Sequence, residues 1–378
     1  MTHPTLEGTE IVLAVTGSIA AVETVRLAHE LRRRGALVQA VLSAAATRIV
    51  HPDALTYATG RPAITAITGM VEHVEWCGEG GRANLLLVAP CTANTVGKIA
   101  CGIDDTPVTT FATTALGSGL PVVIVPAMHG TMYRHRAVEE NLERLVALGA
   151  TVVPPRIEEG RAKIAGTDVI VLAAERAVNP KPLAGRRVLI TSGPCREPVD
   201  DVRVLTTRST GRMGRALALE AYRRGAEVTV IHADRFPCVQ NVPITTAADL
   251  REAVLACGEA DGIDIYVSAA AISDFAPHRS PGKIPSGAPT TLALEPQPKV
   301  LDEVIARFSP FAIAFKLAED ADARAGGLLE RGAALVVANT PESMGAESGT
   351  FALHSPNGIR VVEGSKEEVA AAIWSSVP

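Results

Sequence analysis

Two stretches of the chain share one hydrophobic pattern: a short apolar, β-branched run stops at a glycine, and apolar residues then recur at helical spacing. Residues 11–18 (IVLAVTGS) predict a strand ending at Gly17, and residues 19–34 predict a helix. The pattern restarts with a strand at Arg187–Ser192 (RVLITS) and a helix over Gly211–Gly225. Each half of the chain therefore opens with a strand, a loop and a helix.

Further apolar runs alternate with helical patterns in both halves. The other predicted strands are Ala36–Leu42, Leu85–Ala89, Pro121–Val125, Glu227–His232, Ile263–Ala269, Phe311–Lys316 and Leu335–Asn339, and a helix is predicted between Ala323 and Arg331. This alternation is typical of a mainly parallel sheet covered by helices on both faces. The sequence predicts two doubly wound, Rossmann-like α/β domains, residues 1–179 and 186–378, joined by a polar, proline-containing linker at 180–185.

Composition narrows the class of protein. Of the 378 residues, 47% are hydrophobic and 20% are charged, which is typical of a globular chain. No apolar run reaches the roughly 18 residues that a bilayer crossing needs, and the start lacks a basic signal-peptide flank, so we expect a cytoplasmic protein without membrane association. A net charge of −5, with no basic block beyond Arg32–Arg34, argues against nucleic-acid binding. The six cysteines form no CxxC motif and are expected to be free thiols.

Polar loops follow three predicted strands of the first half: Thr16–Ala20, Ala89–Thr95 (APCTANT) and Pro126–Tyr133 (PAMHGTMY). Ligands of open parallel sheets lie beyond the carboxyl ends of strands, where loops enter helix N-termini that favour phosphate. Serine and threonine in such loops also commonly act only as caps. His73 is a further candidate, because imidazole exchanges protons near neutrality, although an isolated histidine could equally cap a surface helix.

Together these segments resemble the flavin-containing cysteine decarboxylases. The resemblance implies that His73 is the catalytic histidine. It also implies that His129, which replaces the family's asparagine, donates a hydrogen bond to the substrate carboxylate, and could do so as a cation. The residues it assigns to FMN are Gly17, Ser18, Ser43, Asn94, Thr109, Thr113 and Met128. The flavin would oxidise a cysteinyl thiol, CO₂ would leave, and the reduced flavin would return the hydride.

The sequence departs from this family at the flap. The family's flap supplies a cysteine as proton donor, whereas Pro154–Gly166 contains none. Lys163 is a candidate by its position, with a solvated flap lysine as the alternative interpretation. The proton donor is therefore not identified by the sequence.

The second half combines a tight turn, cations and a glycine-rich helix start in the segments 193–200 (GPCREPVD), Arg203 and 209–214 (STGRMG). Helix N–H groups, hydroxyls and arginine forks stabilise phosphate oxygens. The Walker A motif is absent. These segments resemble phosphopantothenoylcysteine synthetase. Further matches to it follow in order at 269–275, 283–284, 298–301, 315–319 and 338–339.

This second resemblance implies three groups of site residues. The nucleotide would be bound by Ser209, Gly211, Arg212, Ala271, Asp274, Lys283, Pro298, Lys299, Val300, Leu301, Phe315 and Arg331. The substrate would be bound by Arg196, Arg203 and Asn339, and Thr207 stands where the family has its catalytic asparagine. Taken singly, Asp274 could be a turn cap, Phe315 a core residue, and Lys283 and Arg331 surface charges.

The implied reaction joins 4′-phosphopantothenate to cysteine through an acyl-cytidylate made from CTP. Mg²⁺ is expected on charge grounds, although the sequence does not identify its ligands. ATP stays open as the nucleotide, because Pro285 and Ser286 replace two of the family's lysines.

The two resemblances cover Glu10 to Ile373 in the domain order of the bifunctional coenzyme A biosynthesis proteins. They imply an enzyme that makes phosphopantothenoylcysteine and decarboxylates it to 4′-phosphopantetheine. Family decarboxylases place FMN at a trimer interface and family synthetases dimerise, which implies a homo-oligomer up to a dodecamer. One alternative is a flavoprotein of the prenyltransferase-like relatives fused to a regulatory nucleotide-binding domain. A non-catalytic partner subunit is another alternative, against which the retained His73 argues.

Overall fold

The structure is a computed structural model, and it describes residues 4–158, 161–287 and 289–378. The chain divides into two compact units, Met1–Pro180 and Lys181–Pro378, with the boundary inside the predicted linker. Within the described residues, no helix combines the length and the apolar character that a bilayer crossing requires.

The first unit is a five-stranded parallel sheet in the order β2-β1-β3-β4-β5, with helices on both faces. Its strands are β1 (Glu10–Val15), β2 (Leu37–Leu42), β3 (Leu85–Cys91), β4 (Val122–Pro126) and β5 (Thr151–Val152), with a separate antiparallel pair, β6 (Arg156–Glu158) and β7 (Arg161–Lys163). Its helices are α1 (Thr24–Arg33), α2 (Pro52–Thr59), α3 (Glu72–Cys77), α4 (Ala93–Ala100), α5 (Pro107–Gly117), α6 (Gly130–Tyr133), α7 (Arg136–Ala147) and α8 (Thr167–Val178), with 3-10 turns at Ile19–Glu23 and Ala46–Arg48.

Strand β1 shows why the strands of this sheet appear in the sequence as unbroken apolar runs. Ile11 and Leu13 pack on one face, in the cluster that includes Leu27 of α1, whereas Val12 packs on the other face with Phe111 of α5. Successive side chains of a strand point to opposite faces, so a strand covered on both sides buries every position.

The second unit is an eight-stranded sheet in the order β12-β11-β8-β13-β16-β17-β18-β19. Its strands, parallel except where β18 and β19 join, are β8 (Arg187–Thr191), β11 (Glu227–His232), β12 (Gln240–Pro243), β13 (Ile265–Ser268), β16 (Phe311–Leu317), β17 (Leu335–Asn339), β18 (Ser348–Ser355) and β19 (Gly358–Ser365). Two antiparallel pairs lie outside it, β9 (Arg196–Pro198) with β10 (Val204–Thr206) and β14 (Phe275–Pro277) with β15 (Leu294–Pro296). The helices are α9 (Arg212–Arg223), α10 (Ala247–Asp261), α11 (Val300–Phe308), α12 (Ala321–Glu330) and α13 (Lys366–Trp374), with a 3-10 turn at Pro341–Ser343.

The core of the second unit is also divided by its sheet. Val188 and Ile190 pack towards α9 and α13, and Leu189 packs on the opposite face with Leu250 of α10. On the α9 side, Trp374 of α13 is fully buried and donates a hydrogen bond from Nε1 to the Leu217 carbonyl (3.0 Å).

The prediction of two mainly parallel α/β domains is confirmed, with several local differences. The helix predicted from residue 19 begins as a 3-10 turn, whose N-cap Ser18 accepts a hydrogen bond from the Ala20 N–H, and α1 starts only at Thr24. The antiparallel hairpin of β18 and β19 was not predicted.

Candidate active sites

The predicted loops of the first half meet at the carboxyl edge of its sheet, around a cavity of about 470 Å³. Five of the seven residues predicted to bind flavin line this cavity: Gly17, Ser18, Ser43, Asn94 and Met128. The rest of the lining mixes small apolar side chains with polar ones, namely Ala44, Ala45, Thr92, Ala93, Thr95, Lys98, Thr106, Ala127 and Met132. A concave, partly apolar space with a few convergent polar groups is the usual form of a cofactor site.

Hydrogen bonds hold the first two loops of this cavity in place. The hydroxyl of Thr16 donates to the Pro90 carbonyl (2.7 Å) and accepts from the Thr92 N–H (3.0 Å), so it links the loop after β1 to the loop after β3. Ser43, which is buried, uses its hydroxyl to accept from the Ala46 N–H (3.3 Å). These hydrogen bonds within the protein therefore fix the loops that line the cavity.

Gly17 is required by the close approach of two loops. A Cβ at residue 17 would lie 2.4 Å from the Cβ of Ala45, on the loop after β2. Both residues line the cavity, so a side chain at position 17 would push one wall away from the other.

We expect Gly17→Ala to lower the flavin content of the purified protein by at least about tenfold, which corresponds to roughly 1.4 kcal/mol of lost binding. Visible absorbance per chain measures this. Gly117→Ala is the matched control, because a Cβ at this last residue of α5 meets nothing within 4 Å. Equal flavin content in the two variants would contradict the assignment of this cavity.

Two predicted flavin residues lie outside the cavity lining, on α5. The Thr109 hydroxyl is buried and serves a capping box with Thr106, accepting from the Thr106 N–H and donating to the Thr106 carbonyl (both 3.0 Å). The Thr109 hydroxyl thus donates and accepts its hydrogen bonds within the N-terminus of α5. Thr113 differs, since its Oγ1 is buried and has no hydrogen-bond partner among the described residues.

His73 occupies the second position of α3, a helix that packs against α5. Its ring is half-buried, and the buried Nδ1 has no hydrogen-bond partner among the described residues. Three residues further on, Trp76 is buried and has two guanidinium groups near its ring, Arg61 at 5.4 Å and Arg82 at 4.4 Å from the ring centroid. His73 is thus held on a firmly packed helix with a free ring nitrogen, but it does not line the cavity of this single chain.

His129 caps a helix. Its Nδ1 lies 2.9 Å from the Thr131 hydroxyl and accepts from the Thr131 N–H (3.4 Å) at the start of α6. This contact occupies Nδ1 and leaves Nε2, on the other side of the ring, without a contact in the capping arrangement. The exposed Nε2–H can still donate to a carboxylate.

The described part of the flap contains the antiparallel pair β6–β7, and β7 packs against α6, next to the loop that carries His129. Lys163 is exposed at the end of β7. Residues 159 and 160, also part of the predicted flap, lie outside the described residues.

The second half brings some of its predicted residues together at the carboxyl edge of its sheet. Ala271 donates its N–H to the Gly193 carbonyl (2.9 Å), and the Thr207 hydroxyl donates to the Ala271 carbonyl (3.3 Å). The loops after β8 and β13 and the segment before α9 therefore meet at one place, as expected of a ligand site in a parallel sheet.

The N-terminus of α9 fits tightly against the turn after β8. Gly211, the N-cap residue, has a φ of 69°, and a Cβ there would lie 3.3 Å from the Cα of Gly193. A Cβ on Gly214, in the first turn, would lie 2.1 Å from the Ser192 Oγ. Ser209 accepts from the Gly211 N–H (3.4 Å). These glycines bring the free N–H groups of a 12-residue helix to the sheet edge, where they can bind phosphate.

Other predicted nucleotide residues lie around α11. Asp274 forms an ion pair with Lys299, the N-cap residue of α11, and its carbonyl accepts from the Gln297 N–H (2.9 Å). Arg331 lies 3.5 Å from Asp302 in the first turn of the same helix. The remaining members are exposed Pro298, buried Val300, partly buried Leu301, and Phe315, which is half-buried on β16.

Arg203 and Lys283 are connected through Asp200. The buried Asp200 carboxylate accepts from the N–H groups of Val202 (2.7 Å), Arg203 (2.6 Å) and Ile284 (3.0 Å), and from Nη1 of Arg203 (2.6 Å). Nη1 of Arg203 also donates to the Ile284 carbonyl (3.2 Å). Arg203 thus contacts the segment that carries Lys283, and we infer that it helps to position this segment; its predicted role in substrate binding stays a prediction.

Asp200→Asn should lower the melting temperature of the second unit by the same amount at every pH from about 5 to 8. Burial alone would raise the pKa of Asp200, but its N–H donors and Arg203 outweigh burial and hold the pKa well below the usual range. A lowered folded pKa gives stability that is complete above the unfolded value of about 3.9 and is lost only as pH falls below it.

Thermal unfolding at several pH values measures this effect. Asp201→Asn is the control, because Asp201 is half-exposed and its side chain pairs with Arg279 at the surface (2.8 Å), a type of pair that contributes little. An Asp200→Asn variant as stable as Asp201→Asn would contradict the positioning role.

Three predicted residues lie apart from these contacts. Arg196 is exposed on β9. Arg212 donates from Nη1 to the Gly345 carbonyl (2.9 Å). Asn339 donates from Nδ2 to the Ser343 hydroxyl (2.6 Å) and lines a second cavity of about 470 Å³, together with Glu319 and other residues.

Some residues at these sites were not predicted from the sequence. Thr92, Lys98 and Thr106 line the flavin cavity, and Thr92 has a recognisable signal as the helix cap before α4. Lys366 is buried, donates to the Ser343 carbonyl (3.1 Å) and lies 4.5 Å from the Phe351 ring centroid. Burial and the nearby Arg212 lower its pKa.

Each half of the chain matches a known protein family. Residues 2–178 match the family model described as Flavoprotein, and residues 183–378 match the DNA/pantothenate metabolism flavoprotein C-terminal domain. The "Coenzyme A biosynthesis bifunctional protein CoaBC" of Thermococcus kodakarensis is 46% identical, over 98% of this chain and 95% of the relative. The protein of that name from Methanocaldococcus jannaschii is 36% identical, over 79% of this chain and 73% of its own length. A solved structure of the C-terminal domain of such a protein has 29% identity and a TM-score of 0.43, covering 52% of this chain and 95% of that domain.

The fold, the two sites and these similarities define a two-domain α/β flavoprotein enzyme. The chain belongs to the family of coenzyme A biosynthesis bifunctional proteins. The predicted pair of activities is thereby confirmed: ligation of 4′-phosphopantothenate with cysteine, and decarboxylation of the product to 4′-phosphopantetheine. The roles of individual residues stay predictions.

Proposed function

We propose that the flavin is FMN and that it binds in the cavity at the carboxyl edge of the first sheet. The observation that carries this proposal is the joint lining of one cavity by five residues that the sequence assigns to FMN. The residues fit the group: Gly17 permits a close backbone approach, Met128 and Ala45 offer apolar contact, and Ser18 and Asn94 offer polar groups. When bound, FMN supplies the oxidation of the thiol and the later return of the hydride.

The chain's own residues would handle the proton and the carboxylate. His73 has a free ring nitrogen, so it can accept the proton that leaves the substrate and return it. The His129 ring can donate a hydrogen bond from Nε2 to the substrate carboxylate, which holds the carboxylate in place until it leaves as CO₂.

In the second half, we propose that the N-terminus of α9 and the turn at Gly193 bind phosphates of the substrates. The carboxylate of 4′-phosphopantothenate attacks the α-phosphorus of CTP, and pyrophosphate leaves. The amine of cysteine then displaces CMP and forms the amide. The Thr207 hydroxyl would orient the acyl group by donating to its oxygen in place of the Ala271 carbonyl.

Mg²⁺ is part of this proposal because a triphosphate and a carboxylate repel one another. In residues 4–158, 161–287 and 289–378, no three histidine, cysteine, aspartate or glutamate side chains gather as a metal site. We therefore propose that the nucleotide phosphates supply most of the ligands, which is usual for Mg²⁺.

We also propose a homo-oligomer, up to a dodecamer, in which a second copy completes the flavin site. His73 lies outside the cavity lining of its own chain, and apolar side chains on the turn after Ser18 and on the helix of His73 are exposed, namely Ile19 (79%), Val22 (53%) and Val74 (48%). Light scattering should give a mass several times that of one chain. Mixing Gly17→Ala chains with His73→Ala chains should restore decarboxylation, because some sites then combine intact residues from both. A monomeric protein would contradict this proposal.

One experiment tests the chemistry. The protein is incubated with FMN, Mg²⁺, 4′-phosphopantothenate, cysteine and either CTP or ATP, and the products are identified by mass spectrometry. We expect 4′-phosphopantetheine, CMP and pyrophosphate with CTP. Product with ATP alone would overturn the choice of nucleotide. The absence of any ligated product would overturn the ligase mechanism.

A further inference from the structure

His232 is a buried histidine, and one of its ring nitrogens has no hydrogen-bond partner in the described parts of the chain. It ends β11, is only 3% exposed, and its Nε2 is buried without a hydrogen-bond partner in the described parts of the chain. The ring packs on Phe236, with centroids 4.0 Å apart. Buried polar nitrogens are normally satisfied, so a buried ring with an unpaired nitrogen calls for an explanation.

The ring lies beside the phosphate-binding turn of the second half. Val228 and Val230, on the same face of β11 as His232, pack in the core cluster that includes Leu217 of α9. Nδ1 of His232 lies 3.3 Å from the position of a Cβ on Gly193. Since the Gly193 Cα is in turn 3.3 Å from a Cβ position on Gly211, the imidazole adjoins the start of α9.

We propose that His232 binds a phosphoryl group held at the N-terminus of α9, an assignment that rests on the ligase activity proposed above. Nδ1, the ring nitrogen that lies beside Gly193, donates its N–H to a phosphoryl oxygen, next to the free N–H groups of the helix. Phosphate binding would account for a histidine at position 232, because phenylalanine or leucine would fill a similar volume without leaving an unpaired nitrogen.

The charge of the free ring suits this role. Burial lowers the pKa of His232, and the nearby Asp234 opposes that shift only in part. The ring is therefore neutral at neutral pH in the free protein, so no unpaired cation is buried. A neutral imidazole still has one N–H to donate.

The phosphoryl group has two possible sources, the triphosphate of the nucleotide and the 4′-phosphate of phosphopantothenate. Their shared chemistry is a phosphate dianion or polyanion with oxygens that accept hydrogen bonds. Kinetics with each substrate varied in turn distinguish them.

The test uses full-length, flavin-loaded His232→Leu and His232→Gln. Leucine keeps an apolar side chain of similar bulk and removes both nitrogens, whereas glutamine restores an N–H donor. We expect leucine to weaken binding of inorganic pyrophosphate, measured calorimetrically, by about 10- to 100-fold, which is typical of a hydrogen bond to a charged group. The KM of one phosphate-bearing substrate should rise similarly with a smaller change in kcat, and glutamine should recover most of the loss.

The substrate whose KM rises identifies the phosphoryl source. Flavin content and decarboxylation should not change in either variant, and the melting temperature shows that the second unit is folded. Unchanged pyrophosphate binding and unchanged KM values in a folded His232→Leu variant would overturn the proposal. If the wild type lacked ligase activity but bound pyrophosphate through His232, the proposed function would fail while the phosphate site stood.

Discussion

Replacing His73 with alanine should stop decarboxylation while leaving ligation intact, so that phosphopantothenoylcysteine accumulates. General acid–base catalysis by one side chain is worth about 10²- to 10⁴-fold in rate, and we expect a loss in this range. Product analysis by mass spectrometry, with CMP release as the measure of ligation, follows both activities in one reaction mixture.

The fold should tolerate this substitution. Nδ1 of His73 has no hydrogen-bond partner among the described residues, so no known hydrogen bond of that atom is lost. Glu75→Gln is the control on the same helix, because Glu75 is half-exposed and pairs with Arg82 at the surface. Decarboxylation within a few-fold of wild type in a flavin-loaded His73→Ala protein would show that another group carries the proton.

The second large effect is expected for Gly214→Ala, which should abolish most ligase activity. The new Cβ would lie 2.1 Å from the Ser192 Oγ and 2.5 Å from the Ser192 Cβ, so the start of α9 must move away from the turn after β8. Overpacking of this kind costs about 1–3 kcal/mol, and the displaced helix start loses its phosphate site. Steady-state ligase kinetics and thermal unfolding measure the two consequences.

A compensating variant makes this prediction specific. Adding Ser192→Gly removes both clashing atoms and should recover ligation and stability together. Gly326→Ala, within α12, is the control, since a Cβ there meets nothing within 4 Å and the change should be neutral or stabilising by up to about 1 kcal/mol. A double variant as inactive as Gly214→Ala would mean that the contact with Ser192 is not the cause.

The sequence allowed most of the parallel sheets to be predicted, because strands buried on both faces read as unbroken apolar runs. Glu227–His232 and Leu335–Asn339 have the bounds that the pattern predicted. The β18–β19 hairpin was missed, since it lies at an exposed edge where apolar residues such as Ile359 alternate with polar ones. Its two-residue loop, Pro356–Asn357 before Gly358, was the available signal.

Candidate site residues were predictable where a loop motif carries them, as with Gly17 and Ser18. The hydrogen bonds that the candidate side chains form were harder to predict. Thr109 has the spacing of a capping box with Thr106, and the structure uses its hydroxyl there. The bond between Asp200 and Ile284 joins residues 84 positions apart, and the unpaired nitrogen of His232 exists only in the packed chain. Such features depend on tertiary contacts that one sequence does not encode in any local pattern.

The placement of the two tryptophans gives each half its own fluorescent reporter. The chain contains only Trp76 and Trp374, and each is buried in a different unit. Substituting one of them with phenylalanine leaves emission from the other half alone, so the unfolding of each unit can be followed separately. Trp76 is also three residues from His73, and energy transfer from its indole to a bound isoalloxazine would report occupancy of the first site during turnover.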